Sequence, residues 1–241
     1  MPGFMDVDAV TVSRLASELN QVGLATIDGY LTYDQLEAAR HDVNGKARAH
    51  AHTSFAIRGT PNVPGTLFEQ LVASEEFQRM LLSVYTLGTG RTPSNSEKVH
   101  TVIRCLQGSN VGAESNRFHY DATTLTILLP VFISNGTERG RFVLFPNLRE
   151  IRSNGFVNIL EKFFIQNRVS QRLVTLGIAF GLIHPMRIQL IPGNLYFFWG
   201  YRSLHANEPC DPQTLRSTVL FHYDNPHRDS QVTRLLMPKG R

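Results

Sequence analysis

The sequence predicts a mainly β domain with a helical layer, in which N-terminal helices pack on a sandwich or barrel of short strands. Two observations carry this. Apolar residues recur at helical spacing through residues 1–96, and strand-like runs parted by Gly, Pro and Asn turns fill most of the chain after Glu97. No internal repeat or low-complexity tract divides the 241 residues, a length that supports a sizeable core in one domain. The expected organisation is a single domain spanning 1–241. It comprises a helical part (1–96), a β core (97–224) with an insertion at 154–181, and a tail (225–241).

Val10, Leu15, Leu19 and Val22 mark the first helix, and Gly23 ends it. Leu24–Ile27 is a short strand before a turn at Asp28-Gly29, and Thr32 caps a second helix through Leu36 and Ala39. Gly59, Pro61 and Pro64 make 45–65 a loop. One amphipathic helix is expected from Leu67 to Tyr85, buried through Leu71, Phe77, Leu81 and Val84, with a linker at 88–96. Strands follow at His100–Leu106, Thr123–Ile133, Arg141–Phe145, Ile188–Ile191, Leu195–Trp199 and Leu215–Tyr223, with a turn at Pro192-Gly193-Asn194. Between them Phe156, Ile159, Leu160, Phe163 and Phe164 mark a helix from Phe156 to Leu173, an insertion and a candidate lid.

Composition narrows the function. With 24 basic and 20 acidic residues the chain is mildly basic, but the cations are spread rather than blocked, which suits an anionic small molecule and not nucleic acid. Cys105 and Cys210 are the only cysteines, so a disulfide framework and a zinc–cysteine site are not expected, and reduced thiols suit a cytoplasmic protein. There is no signal-peptide pattern and no apolar run near 18 residues, so no membrane span is expected.

His119 and Asp121 sit at i and i+2, so an extended segment turns both to one face. His205, from a distant strand, completes two imidazoles and a carboxylate, the set that holds non-haem Fe(II) and leaves coordination positions open. Phe-His-Tyr-Asp occurs twice, at 118–121 and 221–224, but only His227 follows the second copy, too close to return as an independent ligand. Arg216, eleven residues after His205, starts a strand and is placed to clamp a carboxylate, with Thr218 on the same face. Arg104, mid-strand among apolar neighbours, is read as reaching the pocket, and His222 as a structural histidine that shares the face of Arg216. Tyr120 should point away from the metal, Trp199 and Tyr201 read as core, His50 and His52 as solvated loop residues, and His184 as a turn residue.

Taken jointly these motifs resemble the Fe(II)/2-oxoglutarate-dependent dioxygenases, in the style of the phytanoyl-CoA dioxygenase-like branch. The resemblance covers most of the chain. It rests on Gly23–Leu31 before a helix, Phe118-His119-Tyr120-Asp121, Pro192–Phe198, Leu204-His205-Ala206-Asn207 and Arg216-Ser217-Thr218. Two departures stand out. The segment Arg141–Asn147 lacks the branch's Gly-Ser-His ending, and 156–181 is an unusual insertion. The resemblance implies a double-stranded β-helix (jelly roll) and Fe(II) on His119, Asp121 and His205. Its cosubstrates would be 2-oxoglutarate and O₂, with the 5-carboxylate on Arg216 and Thr218. The implied reaction is hydroxylation of a C–H bond in a small, anionic or amino-acid-like substrate, with release of succinate and CO₂. The presence of Asp121 disfavours halogenation. Two alternatives stay open: a non-enzymatic jelly-roll binding module with a degenerate site, and a hydrolytic metal site, against which Arg216 argues.

Overall fold

A computed structural model describes residues 3–50, 53–93, 98–134, 139–151 and 167–226. Caps set its N-terminal helices. Helix α1 (Ala9–Gln21) starts where the Asp8 carboxylate accepts from the Thr11 N–H at 2.7 Å. It ends at Gly23, whose φ of 84° favours glycine and where a Cβ would strike Pro146. Strand β1 (Ala25–Ile27) follows. Helix α2 (Tyr33–Ala49) opens on a capping box between Thr32 and Gln35. Strand β2 (Phe55–Arg58) leads to α3 (Leu67–Ala73) and α4 (Glu75–Thr89).

The β core holds β3 (His100–Leu106), a short helix α5 (Val111–Glu114), β4 (Leu125–Phe132) and β5 (Phe142–Phe145). Helix α6 (Arg168–Ala179) precedes β6 (Met186–Ile188), β7 (Leu195–Phe198), β8 (Leu204–Asn207) and β9 (Arg216–Tyr223). A six-stranded sheet runs β1-β7-β4-β9-β3-β2 and a three-stranded sheet β6-β5-β8, with every pairing antiparallel. This is a jelly-roll core with helices on one sheet, as expected.

Alternation along the strands gives the large sheet two different faces. Its outer face (Ile127, Phe197, Val219, Phe221) packs under Leu15, Leu19, Phe68 and Phe77 of the helices. Phe77 meets Phe221 edge-on at 5.1 Å between centroids, and truncating it to Ala would cost about 3–5 kcal/mol. Leu128, Phe142, Leu144, Tyr196 and Phe198 fill the space between the sheets. On β9 the register sets Thr218 opposite Arg104, and His222 opposite both His100 and Thr126, so these side chains share the inner face.

The structure corrects several expectations. Residues 45–65 are not one loop: α2 continues through Gly45 to Ala49, and Phe55–Arg58 forms an edge strand with alternating burial. The helix expected from Leu67 to Tyr85 is two, parted at Ser74, whose extended backbone (ψ 140°) ends α3 and whose hydroxyl caps α4. On α1 the buried side is Val12, Leu15, Ala16 and Leu19, whereas Val10 and Val22 are exposed. Much of the helix expected at 156–173 lies outside the described residues, and α6 runs on to Ala179.

Candidate metal centre

Backbone bonding places His119 and Asp121 across the seam of the two sheets. His119 and His205 exchange both N–H···O bonds at 3.0 Å, and the Asp121 N–H donates to Gly200 O at 3.0 Å. An antiparallel pair turns its side chains to one side, so the imidazoles lie 4.3 Å apart between centroids. Each ring is oriented from behind: Nδ1 of His119 lies 2.9 Å from Arg117 O, and Nδ1 of His205 lies 3.0 Å from Ser203 O. A carbonyl only accepts, so each neutral ring carries its proton on Nδ1 and a lone pair on Nε2. Those Nε2 atoms lie 3.7 and 3.6 Å from Asp121 Oδ1. Nε2 of His205 is buried without a hydrogen-bond partner. The ligand atoms of His119, Asp121 and His205 all fall within 4.8 Å of one another. Three lone pairs facing each other with no proton between them repel, and a cation removes the conflict. The donor set fits a borderline divalent metal such as Fe(II).

The other carboxylate oxygen is held separately. Asp121 Oδ2 accepts from the Thr126 hydroxyl at 2.6 Å and lies 3.7 Å from His222 Nδ1. A Cβ on Gly200 would collide with Asp121 Oδ2 and Thr126 Oγ1, so this position needs glycine. Burial works to raise the Asp121 pKa, but His205, His222 and His119 together outweigh it and hold the carboxyl well below the ordinary range. Burial, then the neighbouring His205, pushes His119 down to about 4. Burial likewise lowers His222, against the pull of Asp121.

Arg216 is fully buried. Its Nε donates to Gly140 O at 3.1 Å and one terminal nitrogen to Asn207 Oδ1 at 2.7 Å, while the other, Nη1, has no partner. Asn207 is two residues beyond His205 on β8, so the guanidinium lies against the strand that carries the distal histidine. Burial depresses its pKa to about 10, which leaves it charged at neutral pH. Thr218 is buried on the same face.

A cleft of about 460 Å³ opens over His119 and Asp121, walled in part by Arg58, Arg104, Arg117, Gln171 and His222. Arg104 lines this cleft, whereas His205, Arg216 and Thr218 do not. Gln171 of α6 clamps the residue before His119 by accepting from the Phe118 N–H at 2.6 Å and donating to Phe118 O at 2.7 Å. Sequence reasoning missed Arg58, Thr126, Gln171, Asn207 and Gly200. Arg58 sits in the span read as a loop, and only the pairing of β2 with β3 brings it beside Arg104. Arg141 forms an ion pair with Glu208 at 2.6 Å and does not line the cleft. Tyr120 lines the cleft, but its ring carries Arg149 at 4.0 Å. Trp199 is core, as expected. His50 is exposed, as expected, one residue past the end of α2, where it stacks on Phe55.

Solved structures share this architecture. A Trichoplax adhaerens prolyl hydroxylase, solved with a hypoxia inducible factor oxygen degradation domain peptide fragment, is 13% identical. It superposes over 90% of this chain and 91% of its own, with a TM-score of 0.57. A Pseudomonas putida prolyl-4-hydroxylase is 11% identical over 89% of this chain and 98% of its own, with a TM-score of 0.55. The α-ketoglutarate-dependent carbocyclase SnoK of nogalamycin biosynthesis is 14% identical over 95% and 91%, with a TM-score of 0.54. The chain has the 2-oxoglutarate/Fe(II) oxygenase fold. No family model and no curated protein sequence matches it. Among the described residues no helix is long and apolar enough to cross a membrane, and Cys105 and Cys210 are buried thiols, not joined in a disulfide.

Proposed function

We propose that the chain is an Fe(II)- and 2-oxoglutarate-dependent oxygenase that hydroxylates a C–H bond of a small, anionic molecule. The observation that carries this reading is the convergence of two unprotonated Nε2 atoms and one carboxylate oxygen, with His119 and Asp121 opening onto the cleft. Fold alone does not dictate chemistry. The donor set on this fold narrows it, because two imidazoles and one carboxylate leave room on the metal for further ligands.

In this reading His119, Asp121 and His205 hold the metal. Arg216 accounts for the second half of the site: a buried guanidinium with an unused donor suits a carboxylate, which 2-oxoglutarate supplies, with Thr218 beside it. Arg104, opposite Thr218 on the neighbouring strand, adds positive charge toward the same region. When bound, iron, 2-oxoglutarate and O₂ supply the oxidising chemistry, and the cosubstrate leaves as succinate and CO₂. The protein's part is to orient and shield. Arg117 O and Ser203 O fix the imidazole tautomers, Thr126 turns one Asp121 oxygen away from the metal, and Phe142 and Phe198 pack against His205 and exclude water. The cleft volume suits a small molecule, and Arg58, Arg104 and Arg117 on its wall favour a carboxylate or phosphate.

The test is anaerobic addition of Fe(II) and 2-oxoglutarate, followed by succinate assay in air. The wild-type protein should develop the weak visible charge-transfer band of the chelate and form succinate, whereas His119→Ala and Asp121→Ala should do neither. Unchanged succinate formation in either variant would reject the assignment, and absence of the band in the wild type would favour a binding module without this chemistry.

A further inference from the structure

His222 sits where the metal centre meets the cleft, and its hydrogen bonds fix which nitrogen carries the proton. The Thr126 hydroxyl has one hydrogen, and at 2.6 Å from Asp121 Oδ2 it donates it there, because a carboxylate offers none in return. Toward His222 Nδ1, 3.2 Å away, Thr126 Oγ1 therefore presents only a lone pair. The contact is attractive only if Nδ1 bears the hydrogen. Asp121 Oδ2, 3.7 Å from the same nitrogen, pushes in the same direction. The Thr123 hydroxyl, at 3.1 Å, accommodates either role. The neutral ring thus keeps a lone pair on Nε2. The His222 side chain is 15% exposed and lines the cleft, and its hydrogen bonds to Thr123 and Thr126 both use Nδ1.

Most other described side chains on the wall offer no such acceptor. Arg58, Arg104 and Arg117 only donate. Gln171 commits both ends of its amide to the Phe118 backbone. Asp121 and His119 face each other at the metal position, and the Tyr120 ring carries Arg149.

We propose that His222 selects the substrate, its Nε2 accepting a hydrogen bond from a hydroxyl or N–H group of an anionic molecule in the cleft. The proposal rests on the oxygenase reading for the word substrate, but the tautomer is independent of it. Substrates of this class pair a carboxylate or phosphate with a nearby donor, as hydroxy acids and amino acids do. An analogue without the donor leaves Nε2 desolvated and unpaired, which is the arrangement that discriminates strongly.

Two measurements test this. In ¹⁵N-histidine protein loaded with Zn(II), long-range ¹H–¹⁵N spectra, assigned with His222→Asn, should show His222 protonated on Nδ1 and bare on Nε2. A proton on Nε2 would overturn the proposal. In the Fe(II) enzyme, succinate formation is compared across matched carboxylates that differ only by a free or a methylated hydroxyl or amine. The wild type should favour donor-bearing members by about tenfold or more in kcat/KM. His222→Asn keeps a donor on the Thr126 side but has no acceptor at Nε2, so the ratio should fall to near unity. His222→Gln, with an amide near the Nε2 position, should recover part of it. The ratio is unaffected by any common loss of rate. An undiminished ratio in His222→Asn, or none in the wild type, sinks the idea. Failure of the oxygenase reading looks different: no carboxylate in the series would yield succinate, in wild type or variant, whichever nitrogen of His222 carries the proton.

Discussion

Replacing Arg216 with Met is the sharpest probe of the cosubstrate assignment. The guanidinium is fully buried, uses Nε on Gly140 O and one terminal nitrogen on Asn207 Oδ1, and leaves Nη1 without a partner. Removing one member of a buried, hydrogen-bonded charge pair costs about 2–5 kcal/mol, or roughly 30-fold to several thousandfold in Kd. Ligand-induced stabilisation shows the difference. With 2-oxoglutarate at about 100 times its Kd, the wild-type protein gains about 2.7 kcal/mol, which in a chain of this size raises Tm by about 5–10 °C. A 30-fold weaker variant at the same concentration gains only about 0.9 kcal/mol, or about 2–3 °C. The ligand-free Tm of Arg216→Met does not decide the matter. The substitution strands Gly140 O and Asn207 Oδ1, at about 1–3 kcal/mol each, but also removes a buried cation that is costly to desolvate. The assay is therefore the difference in Tm with and without 2-oxoglutarate, in anaerobic Mn(II)-loaded protein. If Arg216→Met keeps the full wild-type shift while Arg104→Met loses it, the clamp is the arginine on the cleft wall and the reasoning from Nη1 is wrong.

Three further outcomes are expected. Gly200→Ala pushes a methyl group into Asp121 Oδ2 and Thr126 Oγ1, so metal affinity should fall about 10- to 100-fold while the helical layer stays folded; Mn(II) titration with an unchanged Kd would contradict this. Gln171→Ala frees the Phe118 backbone from α6 and should weaken metal binding about tenfold, with Gln171→Glu, which keeps the acceptor for the Phe118 N–H, recovering part of it. Acidification should destabilise the metal-free protein between about pH 6.5 and 4. Burial lowers His119 to about 4, and also lowers His222, so in that window the unfolded chain binds protons that the native state refuses, and stability rises with pH. Asp121, depressed in the fold, adds stability that persists through this range and is lost only at lower pH. Urea midpoints that do not change between pH 7 and 4.5 would refute the assignment.

What could be read from the sequence follows from how local its cause is. Thr32, Gly23 and the Pro192-Gly193-Asn194 turn act within a few residues, and the structure uses each as expected. Strand β9 was legible because its run is eight residues long and includes Thr218, Val219, Phe221 and Tyr223, types favoured in strands. Strand β8 is four residues, Leu204-His205-Ala206-Asn207, and carries no period to detect; its pairing with β5 makes it a strand. The same holds for β2, where Gly and Pro just downstream masked Phe55 and Ile57. Arg58 was invisible as a cleft residue for that reason.

The repeated Phe-His-Tyr-Asp shows how one tetrapeptide comes to serve two ends. In the first copy the segment stays extended between His205 and Gly200, so His119 and Asp121 turn to the same side and share the metal position. In the second copy His222 keeps the parity of β9 and also faces that position, where it backs Asp121 Oδ2. Asp224 would follow it, but it lies one residue past the end of β9 with a φ of 55°. That left-handed residue breaks the alternation, and the carboxylate accepts from Tyr85 Oη at 2.8 Å and Thr124 Oγ1 at 2.7 Å, tying α4 to the sheet. The second motif thus contributes a supporting imidazole to the metal centre and a structural carboxylate to the helical layer. Asp224→Asn should therefore lower Tm, while metal affinity stays within about twofold, since the two carboxylates serve separate networks. A parallel loss of metal binding would mean that the seam between the sheets is held from the helical side as well.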